Sequence, residues 1–473
     1  MTRFDLVILN GTAVLPGLGA QPMNLGITDG KIAGLSTGIA ASDGAEVIDA
    51  KGRYVMPGAV DSHCHIGIYR PFSDDALSES TSAVSGGVTT MISYFRTGTH
   101  YLNKTGSYKD IFPEVLGLSA GRFRTDYSYH IAPMTNGHLD EIGWLADQGV
   151  GSFKLYMFYK SLTLSSDSTK GKEYAMSDDY DLGYLYEIME RAAEETRKRK
   201  RRISLSLHCE NPEVIRAFIA RVKAAGLTGL EAYSKARPTV SEELAIEEAV
   251  SLSHAAGCPI NLLHLSSGAA VRKGIEVKRR YPDDDIHLEA TLHHLMLNWD
   301  NAGGHLGKVN PPIRTPEDQE ALWQAVLDGH IGTVVSDHAC LTADKKAGDF
   351  WAAWPGFGGT SLLYPVLLGE GVKKRGLPIE RAVDLVSTNS AKLFGLYPRK
   401  GAIAVGSDAD LAIIDMDTPK AVTVQALHSA QDFTPFEGQR FVGWPVMTLL
   451  RGEVVFKDDA PVGAPRGEFI RRT

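Results

Sequence analysis

The chain has 473 residues, too many for one small domain and enough for a large barrel with a smaller companion. Its composition, 43% apolar and 22% charged, is that of an ordinary globular protein, and a net charge of -8 excludes the basic excess of a general nucleic-acid binder. No apolar run approaches the ~20 residues that a membrane span needs, so neither nucleic acid nor membrane is an expected partner.

The N-terminus, MTRFDLVILNG, lacks the basic and apolar regions of a signal peptide. Residues 4–14 and 24–36 read as short β-branched segments around Asn10-Gly11 and Asp29-Gly30 turns, and a third, 46–58, ends at Pro57-Gly58. The next part alternates. Apolar strand-like runs recur at 59–66, 88–95, 126–133, 152–158, 203–210, 260–266, 287–294 and 333–339. Between them lie helix-like segments such as 241–257 and 316–329, with apolar residues at i, i+3, i+4 spacing and a glycine at the end. Eight runs with intervening helices predict an α/β fold, a parallel (β/α)₈ barrel of the TIM type. The polar, Ser-rich stretch 161–179 reads as an elaborated loop after the fourth strand. The basic run Arg197–Arg202 follows an amphipathic segment, 180–195, and reads as a solvated helix end favoured by the helix dipole.

Strand character returns at 409–417 and 446–458, with Arg451-Gly452 as a turn. Both termini therefore assemble one small β-sandwich domain, 1–57 with 400–473, around a catalytic barrel at 58–399. Four cysteines (Cys64, Cys209, Cys258, Cys340) are too sparse for a disulfide framework, and a reducing cytoplasm is the expected compartment.

In such a barrel the chemistry belongs at the C-terminal ends of the strands. His63 and His65, at i and i+2 on the first run, point to one face and can chelate one ion, while Cys64 points away. An HxH pair alone is weak. Lys154 on the fourth run, His208 on the fifth, His264 on the sixth and Asp337 on the eighth all fall near strand ends, and unrelated core histidines have no reason to converge there. Together they point to a metal site. Taken singly, Lys154 could be a snorkelling surface lysine, and His293 and His294 on the seventh run read as core histidines unless one faces the pocket.

The segments PGAVDSHCH (57–65), SFKLYM (152–157), LHCEN (207–211), LLHLSS (262–267) and VSDHA (335–339) resemble the cyclic amidohydrolases: dihydropyrimidinases, hydantoinases, allantoinases and dihydroorotases. The resemblance extends through 387–415 and the C-terminal segment, and is greatest to the dihydropyrimidinase and hydantoinase branch. It implies that His63, His65 and Asp337 bind the more buried of two divalent metals and His208 and His264 the second. Lys154 would be carboxylated by CO₂ (N6-carboxylysine) and bridge them. Histidine-rich ligation favours zinc, with manganese or cobalt as alternatives. Asp337 would serve as general base and then general acid, and Tyr159 would donate to the developing oxyanion.

For the substrate, the resemblance implies a cyclic ureide or imide opened to an N-carbamoyl amino acid. Asn310 stands where dihydropyrimidinases carry serine and would hold the imide edge, largely through backbone groups. Gly358 would offer a backbone contact. Tyr69 and Arg70 could line the mouth, with Arg70 or Arg96 pairing a substrate anion. Gly67 replaces the carboxylate-gripping arginine of dihydroorotases, which disfavours dihydroorotate. An allantoinase-like or other specialised ring hydrolase is the alternative, and a non-catalytic relative is disfavoured because every ligand position is retained. The resemblance further implies a homotetramer, or a homodimer.

Overall fold

A computed structural model describes residues 3–159 and 181–472. The loop expected over 161–179 lies outside the described residues. Eight strands form one parallel sheet in sequential order: β1 (Ala59–Cys64), β2 (Val88–Arg96), β3 (Asp126–Ala132), β4 (Ser152–Tyr156), β5 (Ser204–His208), β6 (Ile260–Leu262), β7 (Ile286–Thr291) and β8 (Thr333–Val335). The sheet curls until its edges meet. β1 and β8 close through a parallel bridge between Cys64 and His338, and His65 N donates to His338 O at 2.7 Å. Every residue of β1 to β5 is buried. Such strands face a filled interior on one side and helices on the other, which is why they read as near-continuous apolar runs.

The helices begin and end at recognisable signals. Helix Pro212–Ala224, after β5, is capped by Asn211, whose Oδ1 accepts from Val214 N at 3.1 Å. The predicted segments 241–257 and 316–329 are helices Thr239–Ala256 and Pro316–Leu327. Gly257 takes the left-handed terminal position of the first, at φ 67°, and Thr315 caps the second. The basic run closes helix Leu182–Arg199, where Arg199 pairs with Glu195 and Asp147 at 2.8 and 2.7 Å.

Strands from both termini form a separate nine-stranded sheet, including Phe4–Leu15, Gly19–Thr28, Tyr54–Pro57, Leu411–Asp415 and Trp444–Leu450. Its core includes Leu6, Ile8, Leu25, Val55, Ile413 and Leu449. Asp29-Gly30 and Arg451-Gly452 are the expected hairpin turns, each with two successive residues at positive φ. Asn10-Gly11 is not a turn. Strand Phe4–Leu15 runs straight through it, with a shift of register against Gly19–Thr28 between Ile8 and Gly11. Asn10 takes φ 57° there, so the dipeptide makes a bulge in a strand that has partners on both sides.

Lys400 joins the two sheets. It is 1% exposed, and its Nζ lies 2.5 Å from Asp126 at the start of β3 and 2.6 and 2.9 Å from Asp410 and Asp408. The C-terminal tail covers the opposite end of the barrel from the strand C-termini. Ile470 N donates to Tyr127 O at 2.8 Å, and the buried Arg472 guanidinium donates to Ser152 Oγ at 2.6 Å and to Tyr129 O.

Candidate metal centre and active site

The side chains of the site stand at the C-terminal mouth of the barrel. His63 is the last residue but one of β1, His208 is the last of β5, and Lys154 lies within β4. His65, His264 and Asp337 follow one or two residues after β1, β6 and β8. His264 and Asp337 have φ of 36° and 49°, positive values uncommon for residues other than glycine. Asp337 is braced from both sides. Ser336 Oγ donates to Asp61 at 2.5 Å, and His338 Nε2 donates to Glu79 at 2.8 Å.

His63, His65 and Asp337 present ligand atoms within 4.8 Å of one another. Asp337 Oδ1 lies 3.1 Å from His63 Nε2 and 3.0 Å from His65 Nε2. Behind them, His63 Nδ1 donates to Glu289 Oε1 at 2.8 Å, and His65 Nδ1 lies 2.8 Å from the Tyr101 hydroxyl. His208 Nε2 donates to Glu210 Oε2 at 2.6 Å, leaving Nδ1 for the pocket. Outer partners of this kind fix the tautomer and orientation of metal-ligating histidines. His264 Nδ1 is buried without a hydrogen-bond partner among the described residues, and such an orphaned nitrogen fits a cation ligand.

The electrostatics agree with that donor set at Asp337, His65 and His208, whereas at His63 the lowering by burial is outweighed by Asp337 and Glu289, which shift it up. Burial opposes the charged form of Asp337, but His63 and His65 more than offset it and hold its carboxyl well below the usual carboxylate range. Burial brings His65 and His208 down to about 4, which keeps both imidazoles neutral, the form that binds metal. Lys154 is 1% exposed, with Nζ 4.1 and 4.8 Å from the Tyr94 and Tyr156 ring centroids, and no carboxylate lies within ion-pair distance among the described residues. Desolvation brings its amine down to about 8.

The pocket over these groups has a volume of about 560 Å³ counting the space at its open mouth. His65, Lys154, His208, His264 and Asp337 form its floor, and Tyr69, Tyr159 and Asn310 are on its walls. The Arg96 guanidinium lies 5.8 Å from the Tyr159 ring centroid, held by the carbonyls of Thr97 and Thr99 at 3.2 and 2.8 Å. Two expected contacts lie elsewhere. Arg70 turns to Asp75 and Cys340, with Nε 3.7 Å from Asp75 Oδ1. The Gly358 amide donates to Gln431 at 2.7 Å, and Pro355 and Gly356 line the pocket in its place. His294 is a bonded core histidine, with Nδ1 2.7 Å from Thr291 Oγ1.

Sequence reasoning missed Glu289, Glu210, Tyr101 and Arg237. The first two carried a signal, since each is an acidic residue inside or just after an apolar strand run. Asp75, Glu79 and Cys340 also gather within ligand distance of one another, but Glu79 is already engaged by His338, Ser429 and Ala430 N.

Known proteins match both the sequence and this architecture. The model of the amidohydrolase family matches residues 163–455. An allantoinase of Rubrobacter xylanophilus is 32% identical, aligned over 100% of this chain and 98% of its own length. An L-hydantoinase of Paenarthrobacter aurescens is 33% identical over 99% and 98%. The solved L-hydantoinase (dihydropyrimidinase) from Arthrobacter aurescens superposes with a TM-score of 0.88 at 31% identity, covering 99% of this chain and 100% of that one. The chain therefore belongs to the amidohydrolase family, in the group of cyclic amidohydrolases that includes the hydantoinases and allantoinases.

Proposed function

We propose that this protein hydrolyses a C–N bond of a cyclic amide, with hydantoins or dihydropyrimidines as first candidates and an N-carbamoyl amino acid as product. The main support is the convergence of His65, Lys154, His208, His264 and Asp337 on the floor of one pocket, with Tyr159 above them. His63, His65 and Asp337 are the proposed holders of one divalent cation and His208 and His264 of a second. Lys154, as its carbamate, serves both, since a protonated lysine cannot ligate a cation. Its burial, with no carboxylate within ion-pair distance among the described residues, favours the neutral amine that captures CO₂. The cations, zinc by preference and manganese or cobalt otherwise, supply an activated nucleophile and polarise the scissile carbonyl.

The protein's own groups do the rest. Asp337 accepts the proton of the nucleophile and returns it to the departing ring nitrogen, which is a poor leaving group until protonated. The Tyr159 phenol donates to the carbonyl oxygen as negative charge develops there, and one such donor contributes roughly 3 kcal/mol. The aromatic wall of Tyr156, Phe158 and Tyr159 shelters that charge from water. Among the described residues no helix is long and apolar enough to cross a membrane, and a cytoplasmic location is proposed on the four sparse, free cysteines. A homotetramer, or a homodimer, is the proposed assembly.

A second reading, allantoin as the ring, is favoured by the full-length likeness to the Rubrobacter allantoinase. A panel of hydantoin, 5-substituted hydantoins, dihydrouracil and allantoin, assayed for loss of the ring and appearance of the ring-opened acid, decides between them. Absence of turnover on every ring by metal-loaded protein overturns both.

A further inference from the structure

A chain of hydrogen-bonding groups runs from the floor of the pocket to its wall. His208 Nε2 donates to Glu210 Oε2 at 2.6 Å. Arg237 donates to the same carboxylate twice, through Nε to Oε1 at 2.9 Å and through Nη2 to Oε2. Its guanidinium also lies over Tyr233, 5.9 Å from the ring centroid and within reach of the phenol oxygen. The Tyr233 hydroxyl donates to Asn310 Oδ1 at 2.6 Å. His208, Glu210, Arg237 and Tyr233 are all buried, while Asn310 is half-buried and forms part of the pocket wall.

The direction of each bond follows from the chemistry of its members. A guanidinium only donates, and a phenol has one proton and two lone pairs. With Arg237 on the lone-pair side, the single proton of Tyr233 goes to Asn310 Oδ1. Asn310 lines the pocket, and with its oxygen taken in this way its NH₂ group is the polar group left for a substrate. Asn310 therefore meets a substrate as a donor.

We propose that Tyr233 is a positioning residue that holds the Asn310 amide with its N–H groups toward the substrate, so that Asn310 selects rings with a second carbonyl beside the scissile one. Cyclic imides and ureides satisfy that donor. A simple lactam leaves it unpaired in a sheltered pocket, which costs affinity. The inference rests on the part of the proposed function that makes this pocket the binding site of the ring. It also links the groups at the two ends, because the carboxylate that fixes His208 is the one that fixes Arg237.

Tyr233→Phe is a mild change, since the ring also packs against Phe350 and Trp351 with centroids 5.8 and 6.0 Å away. The test compares the parent protein with Tyr233→Phe, Asn310→Ala and Asn310→Asp on hydantoin and 2-thiohydantoin, in which sulfur, a weak acceptor, replaces the second carbonyl oxygen. Readouts are kcat, KM and calorimetric binding to metal-loaded protein, with metal content and Tm as controls. The parent is expected to favour the oxygen ring about tenfold in KM and Kd, and Asn310→Ala to reduce that preference to about twofold or less. Tyr233→Phe reduces it in the same direction, and Asn310→Asp binds the oxygen ring more weakly still. A purely structural role would weaken both rings alike. An unchanged preference in Asn310→Ala overturns the proposal, and an unchanged preference in Tyr233→Phe removes Tyr233 from it. Binding with an Asn310-dependent preference but no turnover of any ring sinks the hydrolase reading and leaves this one standing. Binding of neither ring defeats both.

Discussion

His264 and Asp337 hold left-handed backbone angles at the ends of β6 and β8, a strain of order 1–3 kcal/mol each that persists only where the surroundings over-determine it. Here the surroundings are specific: Glu289 Oε1 accepts from His264 N at 3.2 Å, and Asp61 and Glu79 brace the neighbours of Asp337. The same Glu289 oxygen lies 2.8 Å from His63 Nδ1, so one carboxylate orients two proposed ligands. Glu289→Gln is expected to weaken metal binding about 10- to 100-fold while the fold persists, read by competition with a chelating dye. Metal affinity equal to the parent's would show that Glu289 has only a packing role. Tyr159→Phe acts on the chemistry instead. Loss of one oxyanion donor is expected to lower kcat about 100- to 1,000-fold with metal content unchanged, and near-normal turnover would end that assignment.

Between elements, the decisive contact is the Lys400 cluster that ties β3 to the terminal sheet. Breaking a buried ion pair by removing one partner leaves uncompensated charge, at a cost of about 3–5 kcal/mol. Lys400→Met is expected to lose that much in denaturant titrations, whereas Lys235→Met, which removes only the exposed pair with Glu231, should lose about 1 kcal/mol or less. The cluster also sets an acid limit. Burial pushes Asp408 up, but Lys400, Lys31 and Arg399 more than offset it and hold its carboxyl below the usual range. A depressed carboxyl contributes stability above its unfolded value, about 3.9, and loses it as pH falls through the folded value. The Tm of the parent should therefore fall below about pH 4, and Asp408→Asn should start lower at neutral pH and fall less steeply. Parallel acid profiles would rule out Asp408 as a source of that slope.

For the whole molecule, a cation held between β1, β4, β5, β6 and β8 would bind the folded chain and not the unfolded one, so it stabilises by mass action. Prolonged chelation is expected to remove activity and lower Tm together, and zinc, manganese or cobalt to restore both. Lys154 adds a second requirement. Reconstitution in CO₂-free buffer should be slow and should accelerate with bicarbonate. Equal rates in the two buffers would argue against a carbamate at Lys154, and Lys154→Ala should not respond to bicarbonate at all.

The amino-acid sequence by itself determined the barrel, because a strand buried on both faces must be apolar along its length and eight such runs stand between amphipathic helices. It also determined which side chains stand at the strand ends, because position along a strand is a local property. Only the tertiary structure decided what those side chains touch. Glu289 meets His63 across 226 positions of sequence, and Tyr233 meets Asn310 across 77. Nothing local marks such pairs. The resemblance points Arg70 and Gly358 toward the pocket, but their nearest polar partners come from packing: Arg70 Nε lies 3.7 Å from Asp75 Oδ1, and the Gly358 amide donates to Gln431. Asn10-Gly11 follows the same logic in the backbone. The dipeptide supplies the left-handed residue of a turn, but strands paired on both sides carry the chain straight on and make it a bulge.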